Sequence, residues 1–180
     1  NLASGFIQSI MEAYEGTRLG KQELYAAILD DVQGALWNSN MIREATLSAG
    51  YQVPSLDQIV IGVDPQVSFI PGALTGIIAA GVTKVINQNG IYRPPFAYVL
   101  GDHSVNGSPR DWATAVVNAY HNWDARLIVV ERNQGGELVA DNIHNVDPTV
   151  RVKMITATKS KGERAVPVVG KYEQNRVFHI

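Results

Sequence analysis

Three apolar runs that each end in an acidic residue constrain the fold of this chain more than any other feature of its sequence. They are Ile59–Asp64, Phe96–Asp102 and Leu127–Glu131. β-Branched and aromatic residues dominate these runs, which is typical of buried strands. Thr75–Val82 and Val152–Ile155 have the same character. The sequence therefore predicts five strands, three of which end in a carboxylate.

Segments with helical spacing follow the third, fourth and fifth of these strands. Ser108 and Pro109 are suited to the N-cap and first position of a helix, and Pro167 is expected to interrupt the last one. The predicted helices are Pro109–Trp123, Gly136–Asn145 and Lys161–Gln174, and Val177–Ile180 is a candidate last strand.

The order of these elements predicts an α/β fold with a mixed sheet. Three strands joined by short links form an antiparallel meander, whereas a strand–helix–strand step requires a parallel crossover. Helices then cover the faces of the sheet. This arrangement resembles the ribonuclease H-like architecture, whose strand order across the sheet is 3-2-1-4-5.

The N-terminal part of the chain has a helical rather than a strand-like residue pattern. Residues 1–50 are predicted to form short helices, the third of them beginning at an N-cap on Ser39. Gly and Pro within Ser48–Leu56 indicate a linker. We therefore expect a helical connector over 1–50 and a sheet domain over 51–180. The first residue is Asn1 rather than Met, so a fragment of a longer protein is expected.

Composition excludes several kinds of chemistry. The chain has no cysteine, so thiol nucleophiles, cysteine-based zinc sites and iron–sulfur clusters are excluded. Its four histidines are dispersed, and no GxxxxGK[ST] phosphate-binding loop occurs. No apolar run is long enough to span a bilayer and no signal peptide opens the chain, which favours the cytoplasm.

Charge is distributed unevenly along the chain. Residues 151–180 hold seven Lys or Arg and two Glu, whereas the formal charge of the whole chain is -2. A basic stretch can neutralise nucleic-acid phosphates, although a solvated helix face accounts equally well for such a pattern.

The predicted sheet brings two of the acids together. Strands one and four are parallel neighbours ~4.8 Å apart, so Asp64 and Glu131 are expected to meet at one edge. Asp102 ends the third strand, about 10 Å from the first by the same spacing. It is expected either to support the metal ligands from outside the site or to have a purely structural role. Each acid by itself is also compatible with a solvated strand end.

Two carboxylates without cysteine favour Mg²⁺ or Mn²⁺. Two such ions ~3.5–4 Å apart can hold a phosphodiester for hydrolysis. A glycosidase-like acid and base is a less favoured alternative, because no aromatic sugar platform is evident. The nuclease hypothesis requires that neither Asp64 nor Glu131 is buried against a lysine or arginine. Asn133 and Gln134 open the following helix and could hold a phosphate or form a plain turn.

Several stretches resemble the large terminase subunits of tailed phages and prophages. The most specific is Val129–Val139 (VVERNQGGELV), and the match extends over nearly the whole chain. The other stretches are IVIGVDP, TGIIAAG, YVLGDHSVNGSPRDWA, EGTRLGKQEL, GALWN and the tail from Arg151 to Ile180.

This resemblance implies a ribonuclease H-like nuclease that cuts concatemeric double-stranded viral DNA with two divalent metal ions. Asp64 and Glu131 match the positions of its first-strand and fourth-strand catalytic acids. The family's third acid comes from a helix beyond Ile180, so this fragment could be inactive by itself. The implied partners are DNA, the packaging ATPase domain, the small terminase subunit and the portal, with no membrane.

The basic tail is expected to hold the DNA backbone through Lys159, Lys161 and Arg164 without reading sequence. Two alternatives remain open. One is a non-catalytic DNA-binding or docking module, which would bind DNA without cutting it. The other is a different ribonuclease H-like nuclease of the resolvase or transposase type, which would prefer branched or end-specific substrates.

Overall fold

The computed structural model describes residues 35–65, 74–88, 91–132 and 136–180. The chain divides into two compact units, residues 1–45 and residues 46–180. The helices predicted before residue 35, and the predicted phosphate contacts Asn133 and Gln134, lie outside the described residues. The functional division into a connector and a nuclease domain stays a prediction.

In the first unit, helix α1 spans Ser39–Ala45. The backbone N–H of Met41 donates to the side-chain oxygen of Asn38 at 2.8 Å. Asn38 therefore caps this helix, and the prediction of Ser39 as the cap is wrong by one residue. Both side chains are suitable caps, so sequence alone does not distinguish them.

The second unit is built on a mixed six-stranded sheet and also contains a short separate hairpin. Its strands are β1 (Gln58–Asp64), β2 (Gly76–Val82), β3 (Ile86–Gln88), β4 (Ile91–Arg93), β5 (Ala97–Asp102), β6 (Leu127–Glu131), β7 (Val152–Ile155) and β8 (Val177–His179). The order in the sheet is β7-β6-β1-β2-β5-β8, and β3 pairs with β4. The predicted ribonuclease H-like order is confirmed, with β8 added beside β5.

Strand direction also follows the prediction. β2 runs antiparallel to β1 and β5, whereas β1–β6, β6–β7 and β5–β8 are parallel pairs. The parallel strands therefore have their carboxyl ends at a common edge of the sheet.

Three helices follow the strands as expected: α2 (Pro109–Asn122), α3 (Gly136–Val146) and α4 (Lys161–Glu173). Ser108 caps α2 in a reciprocal arrangement with Asp111. The predicted interruption of the last helix is wrong, because α4 continues through Pro167. Pro167 is exposed, so water can reach the carbonyl that its missing N–H leaves without a helical partner.

The hydrophobic core lies where α2 and α3 pack on the sheet. Its largest fully buried side chains are Ile61, Ile77, Ile128, Ile143, Val116 and Val130. Alternate residues of β1 and β6 supply this core, as expected for strands with one face toward helices. No helix in the described part of the chain is both long and apolar enough to cross a membrane.

Candidate acidic site

The two predicted catalytic acids lie at the ends of neighbouring parallel strands. In the register of β1 and β6, Val63 is opposite Val130. Asp64 and Glu131 are the next residues on their strands, so they occupy adjacent positions at the carboxyl edge of the sheet. Adjacent strands are ~4.8 Å apart. We refer to Asp64 and Glu131 as the acidic pair.

Strand alternation places the acidic pair away from the core. Val63 and Val130 are buried in the core with α2 and α3. Successive strand residues point to opposite faces, so Asp64 and Glu131 lie on the other face. A carboxylate on that face can contact solvent or another secondary-structure element without disturbing the packing of the core.

A lysine of α4 contacts the first acid. Lys161 Nζ lies 2.6 Å from Asp64 Oδ2, and the side chains are 69% and 56% exposed. The hydrogen bond and the charge of Asp64 raise the pKa of Lys161 above its usual value. The contact is open to water, where ion pairs are weak and screened by salt.

An arginine of the same helix contacts the second acid. Arg164 Nη2 lies 3.0 Å from Oε1 and 3.1 Å from Oε2 of Glu131. The Glu131 side chain is only 11% exposed. Arg164 Nε also donates to the carbonyl oxygen of Lys159 at 3.2 Å, which fixes the guanidinium against the segment that leads into α4.

The start of α4 explains why both basic side chains reach the acids. Lys161 and Arg164 are three residues apart and therefore share one side of the helix. Ser160 caps the first turn, and its hydroxyl and backbone N–H donate to Glu163 at 2.8 and 2.9 Å. These hydrogen bonds lower the pKa of Glu163 and keep its carboxylate at the cap. We refer to Lys161 and Arg164 as the basic pair.

Asp102 lies apart from the acidic pair. It is paired with Ile78 on β2, the strand that separates β5 from β1, so two strand spacings, about 10 Å, separate it from β1. Its carboxylate accepts from the backbone N–H of Ser104 at 2.9 Å. Hydrogen bonds from Ser104 lower the pKa of Asp102, and its contact is with the turn after β5. Its supporting role in a metal site stays a prediction.

The acidic pair has the right donor chemistry for Mg²⁺ or Mn²⁺, since both ions prefer carboxylate oxygens. In the observed arrangement, however, the oxygens that such ions would bind already contact basic side chains. Both carboxylates already have a cationic partner, and Glu131 meets its arginine in a mostly buried position. Among the described residues, no cluster of three or more His, Cys, Asp or Glu side chains could hold an ion. The requirement that neither acid be buried against a basic side chain is thus not met at Glu131.

The predicted DNA contacts divide into two kinds. Lys159 is exposed, whereas the nitrogens of Lys161 and Arg164 are engaged by the acidic pair. Two further cations were not singled out by sequence reasoning. Lys153 lies opposite Val129, hence on the same face as Glu131, and Arg151 precedes it by two residues. Both are exposed. Their alternation with Val152 and Met154 is the signal that could have identified them.

A mixed sheet with this strand order and carboxylates at neighbouring strand ends defines the ribonuclease H-like class of folds. Residues 92–180 match the family model of the terminase RNaseH-like domain. No curated protein matches the chain. The family match supports a terminase nuclease-type role and, in general terms, DNA and the packaging machinery as partners.

Proposed function

We propose that this chain is the nuclease part of a phage or prophage terminase large subunit that cuts concatemeric double-stranded DNA in the host cytoplasm. Its proposed cofactors are two Mg²⁺ or Mn²⁺ ions, and its proposed partners are the packaging ATPase domain, the small subunit and the portal. Asp64 and Glu131 are the proposed catalytic acids.

One observation carries this proposal: the acidic pair occupies adjacent positions at the ends of β1 and β6. β1 ends at Asp64 and β6 begins only at Leu127, after the other strands of the meander and helix α2. The pairing of these two strands therefore depends on the whole sheet rather than on local sequence. Glu131, but not Asp64, lies within the residues that match the terminase RNaseH-like domain, and the juxtaposition of the two acids supports a role in phosphodiester hydrolysis.

Each acid has a distinct setting in the proposed site. Glu131 is mostly buried, which restricts its orientation, whereas Asp64 is exposed and can adjust to a substrate. Divalent cations, when bound, activate water and stabilise the charge on the departing oxygen. The contribution of this chain is to supply oxygen ligands on two rigid strands beside a surface that can hold the DNA backbone.

We assign that surface to Arg151 and Lys153, which we call the basic row. Both are exposed. Lys153 on β7 shares the face of the sheet on which Glu131 lies, and Arg151 directly precedes β7. Two residues of extended chain span ~6.6 Å, so two cations at this spacing can contact successive backbone phosphates without reading base sequence. Lys159 extends the basic surface toward α4. Lys161 and Arg164 remain proposed DNA contacts in a state that releases them from the acidic pair.

A second candidate function is non-catalytic DNA binding or docking. The specific observation that favours it is that both members of the acidic pair are ion-paired. In this alternative, the acids anchor α4 and the basic row binds DNA without cleavage. A resolvase- or transposase-type nuclease would instead cut four-way junctions or defined ends in preference to plain duplex DNA.

Nicking of supercoiled plasmid with Mn²⁺ separates these functions. The proposed function predicts nicking that is abolished in Asp64→Asn and Glu131→Gln variants. Salt-sensitive DNA binding without nicking at any Mn²⁺ concentration would contradict the nuclease proposal and favour the docking module. Preferential cutting of a four-way junction over linear duplex would favour the resolvase type.

A further inference from the structure

Helix α4 holds its basic pair against the two acids on which the proposed function depends. Lys161 contacts Asp64 at 2.6 Å, and Arg164 contacts both oxygens of Glu131 at 3.0 and 3.1 Å. The two positive charges offset the two negative charges. A cation that binds the same oxygens has to compete with side chains of the protein itself.

The two contacts differ in how readily they can be displaced. Lys161 and Asp64 are both well exposed, so water and salt weaken their attraction. Glu131 is mostly buried, and Arg164 is additionally fixed by the carbonyl oxygen of Lys159. Charge-assisted hydrogen bonds in such settings are stronger than exposed ones. Displacement is therefore expected to start at Asp64 and to be limited by release of Glu131.

The first turn of α4 has a structural weak point next to the basic pair. In a regular helix, the N–H of each residue donates to the carbonyl four residues earlier. Pro167 has no N–H, so the carbonyl of Glu163, which lies between Lys161 and Arg164, lacks this bond. The Ser160 cap meanwhile holds the turn together. The turn can therefore move as a unit while breaking fewer helical hydrogen bonds.

We propose that the basic pair is a self-blocking contact, an inference that rests on the proposed function. Lys161 and Arg164 hold the first turn of α4 across the acidic pair, and a divalent cation can bind Asp64 and Glu131 only when this contact opens. Opening also releases both basic side chains from the acids, so that their charges can pair with the phosphates of DNA. One movement thus uncovers the metal ligands and adds two cations to the DNA-binding surface.

Mn²⁺ alone, titrated calorimetrically into the 180-residue chain, tests the self-blocking contact without relying on activity. Lys161→Met and Arg164→Met remove the charges and keep long apolar side chains. Lys171→Met is the matched control, because Lys171 is exposed in the last turn of the same helix. At 0.15 M salt, charges more than ~8 Å apart are largely screened, so the control reports the effect of removing a distant charge.

The self-blocking contact predicts tighter Mn²⁺ binding in the variants. We expect roughly two- to fivefold tightening for Lys161→Met, as for an exposed ion pair, and about tenfold or more for Arg164→Met. Arg164→Lys, which keeps the charge, should fall between wild type and Arg164→Met. If Arg164→Met does not fold, Arg164→Lys is the variant that tests the contact with Glu131.

Two outcomes overturn the inference and are distinguishable from failure of the proposed function. If Lys161→Met, Arg164→Met and Arg164→Lys bind Mn²⁺ no more tightly than Lys171→Met, the basic pair only anchors α4. If Asp64→Asn with Glu131→Gln binds Mn²⁺ as well as wild type does, the acidic pair is not the metal site. The second result removes the proposed centre and the self-blocking contact together, whereas the first removes only the self-blocking contact.

Discussion

One guanidinium nitrogen, Arg164 Nη2, bridges both carboxylate oxygens of Glu131 at 3.0 and 3.1 Å. This differs from the fork in which two arginine nitrogens each contact one oxygen. Glu131 is only 11% exposed, so water is a poor substitute for the guanidinium. The interaction thus ties the position of α4 to the carboxylate of a catalytic candidate on β6.

Removal of Arg164 should therefore destabilise the chain. We expect Arg164→Met to lower the free energy of unfolding by about 1–3 kcal/mol, because a mostly buried carboxylate is then left without its partner. Combining it with Glu131→Gln should recover part of this stability. Urea denaturation of the two single variants and the double variant provides the measurement. Strictly additive effects would show that the two side chains do not interact.

Neutralising the acidic pair should abolish Mn²⁺-dependent plasmid nicking. Asp64→Asn and Glu131→Gln keep the side-chain size but remove the charges that metal binding requires. Asp141→Asn is the control, since Asp141 is exposed on α3. Agarose-gel assays with matched circular dichroism spectra provide the measurement. Full nicking by the Asp64→Asn/Glu131→Gln double variant is the result that contradicts the assignment.

The basic row should determine the salt dependence of DNA binding. Removing one cation that neutralises a phosphate reduces the slope of log K against log salt by about 1. We therefore expect Arg151→Gln and Lys153→Gln each to flatten the slope by this amount, uniformly across duplex sequences. Lys84→Gln, at an exposed lysine after β2, should leave the slope unchanged. Fluorescence anisotropy at several salt concentrations provides the measurement. If Arg151→Gln and Lys153→Gln have the same slope as Lys84→Gln, the basic row does not bind DNA.

Asp147 should contribute an acid-sensitive part of the stability. Hydrogen bonds from Thr149, together with the interaction of its carboxylate with His121 at 2.7 Å, lower the pKa of Asp147 from 3.8 to about 2. A lowered folded-state pKa stabilises the fold above the unfolded value, and this contribution disappears as the pH falls from about 4 to about 2.

Asp147→Asn should accordingly have a lower Tm than wild type at pH 7, with the difference shrinking toward pH 2. Thermal melts followed by circular dichroism across this range provide the measurement. Asp141→Asn, at an exposed position on α3, is the control substitution. A Tm difference that does not change with pH would mean that the charge of Asp147 makes no contribution.

The main sheet could be predicted because its strands are apolar runs with clear ends. β1, β2 and β5 of the meander, and β6 and β7 of the parallel crossovers, could be recognised from such runs alone. The hairpin of β3 and β4 was missed because its strands are three residues long and partly polar. α4 was expected to break at Pro167, but an exposed backbone carbonyl can be hydrated instead of bonded.

The candidate site was predictable only in part. Adjacent strands carry Asp64 and Glu131 to one edge, so their juxtaposition follows from strand order. Their ion pairs do not: Lys161 is 97 residues from Asp64, and Arg164 is 33 residues from Glu131. The side chains of a basic helix can point toward DNA or toward acids of the same protein, depending on how the helix packs. The number of charges along the sequence does not determine that packing.

The connections of α4 have a consequence for how often its basic side chains return to the acids. The helix follows β7 at one edge of the sheet and leads into β8 at the other. A group anchored in this way meets its partner at an effective concentration on the order of millimolar or above. If the contact of α4 with Asp64 and Glu131 opens, its re-formation is therefore intramolecular and needs no further component.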